Sequence, residues 1–88
     1  MVNSGWAHGA LSAKVKELMA LAVSIAVGCE GCIAYYTHDT IQAGATRAEL
    51  LETISVGVMM AGGPGTIYAA HALEAVDQFL AESLLVSG

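Results

Sequence analysis

Two cysteines separated by two residues are the part of this sequence best suited to chemistry. Cys29 and Cys32 lie in the stretch GCEGCIAYYTHD, residues 28–39, which also contains a histidine. If a helix begins near Cys29, the two thiols lie one turn apart, a separation that a disulfide can bridge. A helix N-terminus favours the thiolate over the thiol. Because a crosslink closing so small a loop adds little stability, the pattern predicts a reversible, reactive dithiol.

Two other interpretations of the cysteine pair stay open from the residues alone. Free cysteines are often buried, so this spacing can arise by chance in an apolar helix. Cys29, Cys32, His38 and His71 could together supply four metal ligands, although the chain has no second CxxC and no closely spaced histidine pair. A thioredoxin-type site is disfavoured because an apolar helical pattern, and no strand, precedes the pair.

The elements that must position the pair are predicted to be helices throughout. Apolar residues at helical spacing, caps and breaks predict four of them: Ala13 to about Val27, about Glu30 to Ala43, a helix capped by Thr46 that runs to about Met60, and Thr66 to about Leu85. Ser12 is the predicted cap of the first helix and Gly28 its end. After Glu17 the first helix is apolar on nearly every side, which predicts burial all round. No segment alternates with period two, so we expect no sheet.

The length and composition indicate a small domain that associates with copies of itself. The chain has 88 residues, of which 56% are apolar and only 12% charged. We expect one domain over residues 1–88, with residues 1–10 as an N-terminal tail in which Trp6 packs on a neighbour. A core this small cannot enclose so much apolar side chain, so the excess predicts a closed homo-oligomer.

The charge and hydropathy patterns argue against nucleic acids and membranes as partners. Three cations against eight acids give a net charge of −5, which cannot neutralise a row of phosphates or an anionic bilayer. The longest apolar stretch, Leu18 to Val27, is well short of the roughly 20 residues that a span needs. No N-terminal segment has the pattern of a signal peptide, so the expected location is cytoplasmic.

Most of the chain, from about Leu11 to Phe79, resembles the carboxymuconolactone decarboxylase/alkylhydroperoxidase AhpD-like family. The family pattern has a glutamate about twelve residues before a CxxC and a histidine four residues after its second cysteine. Glu17, Cys29 and Cys32 match that pattern. The later segments AGATRAEL and GGPGTIYAAHALEA fit the small, all-helical members. The resemblance therefore implies an AhpD-like fold of about four helices that forms a trimer or hexamer.

The resemblance implies an antioxidant thiol peroxidase or disulfide oxidoreductase. In such proteins the second cysteine, here Cys32, attacks the peroxide and becomes a sulfenic acid, and the first, here Cys29, resolves it as a disulfide. Glu17 would belong to a proton relay that activates the attacking thiol. An external dithiol, of thioredoxin or lipoyl type, would reduce the disulfide, and no cofactor is expected. A lactone decarboxylase is less favoured, because that branch does not depend on a cysteine pair.

Tyr36 stands where the family has its relay histidine. A residue four positions after Cys32 shares its helix face, but a phenol titrates near pH 10 and is a poor base at neutrality. Three explanations stay open. In the first, the relay has moved to His38 or to His71, and His71 is the better candidate because a packed last helix could bring it near the thiols. In the second, activity is reduced and a dithiol switch remains. In the third, Tyr36 is an introduced substitution. The explanation that the relay has moved to His71 predicts that this side chain packs near the thiols.

Glu17 also has an ordinary interpretation as a solvated residue at the polar edge of its helix. Placed near the thiols, it would gain a raised pKa through burial and could exchange protons near neutrality. Counting Tyr36, the candidate catalytic residues are then Cys32, Cys29, Glu17, Tyr36 and His71, with no metal ligand among them. Tyr35, Tyr68 and Phe79, and likewise Met59 and Met60, are expected to serve packing.

Overall fold

A computed structural model describes residues 9–87 of the chain, and their side chains as far as residue 83. It contains four helices: α1 (Ala13–Val27), α2 (Glu30–Gln42), α3 (Arg47–Ala61) and α4 (Gly65–Ser87). No strand occurs in residues 9–87. The predicted all-α fold is therefore confirmed, whereas the predicted tail and Trp6 lie largely or wholly outside the described residues.

The ends of the helices follow local capping signals. The Ser12 hydroxyl accepts a hydrogen bond from the Val15 N–H at 3.1 Å and opens α1. Gly28 ends α1 with a left-handed φ of 73°, a conformation that glycine adopts without a steric penalty. Thr46 and Glu49 form a reciprocal capping box that opens α3. α1 has the predicted ends, and the ends of the other helices differ from the predicted ones by at most two residues, as expected for fraying helix termini.

The core lies where α1 and α4 each pack against α2 and against α3. It consists of eight buried apolar residues: Leu21, Ile25, Ile33, Ala45, Leu50, Ile54, Ala72 and Val76. Helices α1 and α3 approach each other closely at Gly57. A Cβ placed there would lie 2.9 Å from the Ile25 Cβ and 3.0 Å from the Ala22 carbonyl oxygen. Because residue 57 has no side chain, the backbone of α3 packs directly against the Ile25 side chain of α1.

One side of α1 and α3 remains uncovered in the single chain. We call this surface the apolar face; its members are Val15, Met19, Val23 and Val27 of α1 and Val56 and Met60 of α3. Val27 is 70% exposed and Met60 75% exposed. The prediction that α1 is buried all round is therefore wrong for this chain alone, because only one side of α1 faces the core.

Within residues 9–87, no helix is both long enough and apolar enough to cross a bilayer.

Candidate active site

The two cysteines lie at the N-terminus of α2 and are joined by a disulfide. Cys29 is the N-cap residue, and its Sγ accepts a hydrogen bond from the Cys32 N–H at 3.3 Å. Their Cα atoms are 5.2 Å apart, within the usual range for a disulfide. Both residues are partly exposed.

The short turn that carries Cys29 is held from two directions. Its backbone is fixed to α1, because the Gly28 N–H donates to the Ile25 carbonyl and the Cys29 N–H donates to the Ser24 carbonyl. On the other side, the Tyr68 ring of α4 covers Gly28 so closely that a Cβ would lie 2.9 Å from a ring carbon. Tyr68 therefore serves packing, as predicted, and it fixes the turn that presents the disulfide.

A groove of about 580 Å³ opens beside Cys32. Its lining is mostly apolar and includes Leu11, Met19, Ala20, Val23 and Val27, of which Met19, Val23 and Val27 also belong to the apolar face. The polar members of the lining are Cys32, Tyr36, Lys16 and Ser24. The groove can therefore receive an apolar group and bring it against the second cysteine.

Six residues line the contact between α1 and α2, which we call the α1–α2 seam. They are Glu17, Ala20 and Ser24 on α1 and Cys32, Tyr36 and Asp39 on α2. On each helix the three positions share one face. Ala20, Ser24, Cys32 and Tyr36 line one groove, and Asp39 lies close enough to Glu17 to act on its charge. Along the face of α2, Tyr36 stands between Cys32 and Asp39.

Glu17 occupies an environment that favours its neutral form. Its Oε2 atom is buried and has no hydrogen-bond partner in the structure. This burial raises the pKa of Glu17, and the nearby Asp39 carboxylate raises it further. Glu17 thus holds its proton to a higher pH than an exposed glutamate does.

Asp39 belongs to this cluster and was missed by the sequence analysis. Its carboxylate is the main cause that raises the pKa of Tyr35, whose hydroxyl also hydrogen-bonds to it. The Tyr35 ring meets the Tyr36 ring edge to face at 5.0 Å between centroids. Tyr35 is 60% exposed, so it does not serve the core. The signal that could have found Asp39 is its position seven residues after Cys32, two turns along one helix face.

The two candidate replacements for the relay histidine both make contacts away from the groove lining. His38 packs edge to face against Phe79 of α4, with 5.2 Å between ring centroids, and its Nδ1 lies 3.9 Å from the Asp39 Oδ1. His71 forms an ion pair with Glu30, with 2.7 Å from Nδ1 to Oε1. The His71 side chain is 46% exposed, because the Glu30 carboxylate at the start of α2 holds it at the surface.

The alternative metal site does not assemble in the part of the chain that the structure describes. No group of three or more histidine, cysteine or acidic side chains is placed to hold an ion there. His38 instead packs against Phe79 from the C-terminal half of α2. His71 pairs with Glu30 at the N-terminal end of the same helix.

The sequence pattern that defines the carboxymuconolactone decarboxylase family matches residues 2–75 of the chain. The chain belongs to this family. Among curated relatives of this family member, an uncharacterised protein of Cupriavidus necator is 41% identical over 69 residues, which is 78% of the chain and 61% of the relative. An uncharacterised protein of the cox locus of Paracoccus denitrificans is 33% identical over 73 residues, 83% of the chain and 66% of the relative. The chain thus spans less than two thirds of each relative.

Solved structures show the same fold. A carboxymuconolactone decarboxylase family protein from Legionella pneumophila is 45% identical, with a TM-score of 0.84 over 89% of this chain and 70% of that one. A family protein from Thermotoga maritima, with a suggested involvement in an antioxidative response, gives a TM-score of 0.91 over 99% of this chain and 74% of that one. At 23% identity, the second likeness establishes the fold alone.

Proposed function

We propose that this family member is a thiol-dependent peroxidase and disulfide oxidoreductase that works through Cys29 and Cys32. The observation that carries the proposal is the Cys29–Cys32 disulfide at the start of α2, with Cys32 opening onto an apolar groove. A helix N-terminus stabilises a thiolate, which is the nucleophilic form of cysteine. An apolar groove at that sulfur favours an organic hydroperoxide as substrate.

The proposed cycle has three balanced steps. The Cys32 thiolate attacks the peroxide, an S–O bond forms, the O–O bond breaks, and the leaving alkoxide takes a proton to become an alcohol. The Cys29 thiol then displaces water from the Cys32 sulfenic acid and forms the disulfide. An external dithiol reduces this disulfide and is itself oxidised. Such a reductant is abundant in the cytoplasm, the location we propose.

Substitution of each cysteine by serine tests the cycle. With an organic hydroperoxide and a dithiol reductant, Cys32→Ser abolishes peroxide consumption. Cys29→Ser retains one turnover, because the nucleophile is present but no thiol resolves it, and mass spectrometry then finds a sulfenic acid on Cys32. Each variant is the control for the other. Equal residual activity in both variants would contradict the assigned roles.

A second candidate function is a redox-responsive helical assembly protein with the same fold and no turnover. Tyr36 favours it, because a phenol replaces the base that the family pattern places on this face of α2. Absence of peroxide consumption in the unaltered chain, together with a change of subunit number on reduction, would support this function over the first. A lactone decarboxylase remains the least favoured, because it leaves the dithiol unused.

The apolar face supports a further part of the proposal, self-association into a trimer or hexamer. Exposed side chains of Met19, Val23 and Val56 form a surface larger than isolated apolar residues would give, and such surfaces mark interfaces. Light scattering of the intact chain is expected to give an oligomer that Val23→Glu dissociates. Ile67→Glu is the matched control, because Ile67 is equally exposed (60%) but is not part of the apolar face. A monomeric unaltered chain would contradict the proposed self-association.

A further inference from the structure

One of the two residues between the cysteines has a partner on another helix. Glu30 directly follows Cys29 and is the first residue of α2. Its Oε1 atom lies 2.7 Å from the Nδ1 atom of His71 on α4, a distance at which the Nδ1–H donates a hydrogen bond to the carboxylate. His71 does not line the groove, so it contacts the segment that carries the disulfide, residues 28–32, only through Glu30. We call this segment the cysteine turn.

Helix α4 holds the cysteine turn at two places. Tyr68 covers Gly28 at the start of the turn, where a Cβ would lie 2.9 Å from a ring carbon. His71 holds Glu30 one residue after the first cysteine. Tyr68 and His71 are three residues apart and therefore share one face of α4. By contrast, a Cβ at Gly31 would meet nothing within 4 Å in the described part of the chain. Of the two intervening residues, Glu30 is therefore the one by which α4 holds the pair.

The contact between Glu30 and His71 matters most when the disulfide is open. The first turn of a helix has backbone N–H groups without intrahelical partners, and helix ends open at little cost in free energy. In the oxidised chain the disulfide itself closes the cysteine turn. In the reduced chain, opening of the turn would separate the two thiols and would also break the contact with His71. The contact therefore favours the reduced conformations in which the two sulfur atoms can bond.

We propose that His71 is a positioning residue that acts through Glu30 to keep the reduced cysteine turn in the conformation from which its disulfide forms. An interaction that favours the bridged geometry also stabilises the disulfide against reduction by an external dithiol. Contacts between partly exposed charged groups are modest, so we expect an effect of about threefold on this equilibrium. A further consequence rests on the proposed function: the same contact speeds the displacement of water from the Cys32 sulfenic acid by the Cys29 thiol.

The redox equilibrium of the full chain with mixtures of reduced and oxidised dithiothreitol tests the proposal without peroxide. A reagent thiolate attacks the disulfide, and the second reagent thiolate then breaks the mixed disulfide, so the chain ends with two thiols and the reagent as a cyclic disulfide. Alkylation of free thiols and mass spectrometry give the oxidised fraction. His71→Ala and Glu30→Ala should each lower the equilibrium constant for disulfide formation about threefold at pH 7. The double variant should be no lower than either single variant, because both residues act through one contact.

A direct effect of charge on the thiols would give a different pattern. Glu30→Ala removes an anion and His71→Ala removes a cation or a neutral imidazole, so charge alone would shift the equilibrium in opposite directions or only in Glu30→Ala. Glu52→Ala is the matched control, because it removes an exposed carboxylate from α3, and it should leave the equilibrium constant unchanged. Opposite shifts, a shift in one single variant only, additive effects in the double variant, or an equal shift in Glu52→Ala would each overturn the proposal.

The outcomes separate this inference from the proposed function. If both alanine variants shift the equilibrium as expected but the unaltered chain consumes no organic hydroperoxide, the peroxidase proposal fails and the positioning role of His71 stands. If peroxide is consumed through Cys32 but neither variant changes the equilibrium constant, the peroxidase stands and the inference fails.

Discussion

Restoring an imidazole at position 36 is the sharpest test of how Cys32 is activated. Tyr36 lies four residues after Cys32, on the same face of α2 and in the wall of the same groove. Histidine is smaller than tyrosine, so Tyr36→His enters this half-buried position without overpacking. The new side chain is a base that titrates near pH 6.5, within reach of the thiol.

The size of the effect follows from the fraction of Cys32 that is ionised. A thiol with an ordinary pKa near 8.5 is about 3% thiolate at pH 7, so complete ionisation could raise the rate by at most roughly 30-fold. A more acidic thiol is also a weaker nucleophile, which reduces the gain. We therefore expect Tyr36→His to accelerate peroxide consumption by about tenfold at pH 7, with a smaller gain at pH 9.

The assay compares three variants at a saturating concentration of dithiol reductant. Tyr36→Phe removes only the hydroxyl and should bring no gain, since it supplies no base. Tyr35→His introduces the same imidazole one position away, on the 60% exposed side of α2, and should also bring none. An equal gain from Tyr35→His, or no gain from Tyr36→His, would refute the argument that this helix face activates Cys32.

Two further predictions concern stability. Because burial and Asp39 raise the pKa of Glu17, the folded chain keeps this proton to a higher pH than the unfolded chain, and stability falls as pH rises from the unfolded through the folded pKa. Glu17→Gln should therefore be more stable than the unaltered chain in urea at pH 7, with no difference at acid pH; a variant less stable at pH 7 would contradict this. Gly57→Ala should lower the free energy of unfolding by about 1 kcal/mol, because overpacking against Ile25 outweighs the gain in helix propensity. Gly31→Ala in α2, where a Cβ meets nothing within 4 Å, should be neutral or stabilising.

The helix boundaries could be predicted because their signals are local. Ser12, Gly28 and Thr46 each act within one turn of their own positions, so the sequence indicates where α1 ends and α3 begins without knowledge of packing. The same holds for the cysteine pair, whose separation is one helical turn.

The surroundings of the pair depend on contacts distant in sequence and could not be predicted in this way. Asp39 meets Glu17 only because α1 and α2 fold back with a particular register. His71 is drawn to the surface by Glu30, 41 positions earlier in the chain. Helical periodicity specifies which side chains share a face, but not which face a neighbouring helix will cover, so the uncovered side of α1 was also missed.

The disulfide joins two residues of a single helical turn, and this has a consequence for any signal that oxidation could send. Neither sulfur is attached to α1, α3 or α4, so breaking the bond frees no helix from another. The arrangement of the four helices is therefore expected to be the same in both oxidation states. A protein that distinguishes the two forms would have to recognise the cysteine pair itself, as a dithiol does when it exchanges with the disulfide.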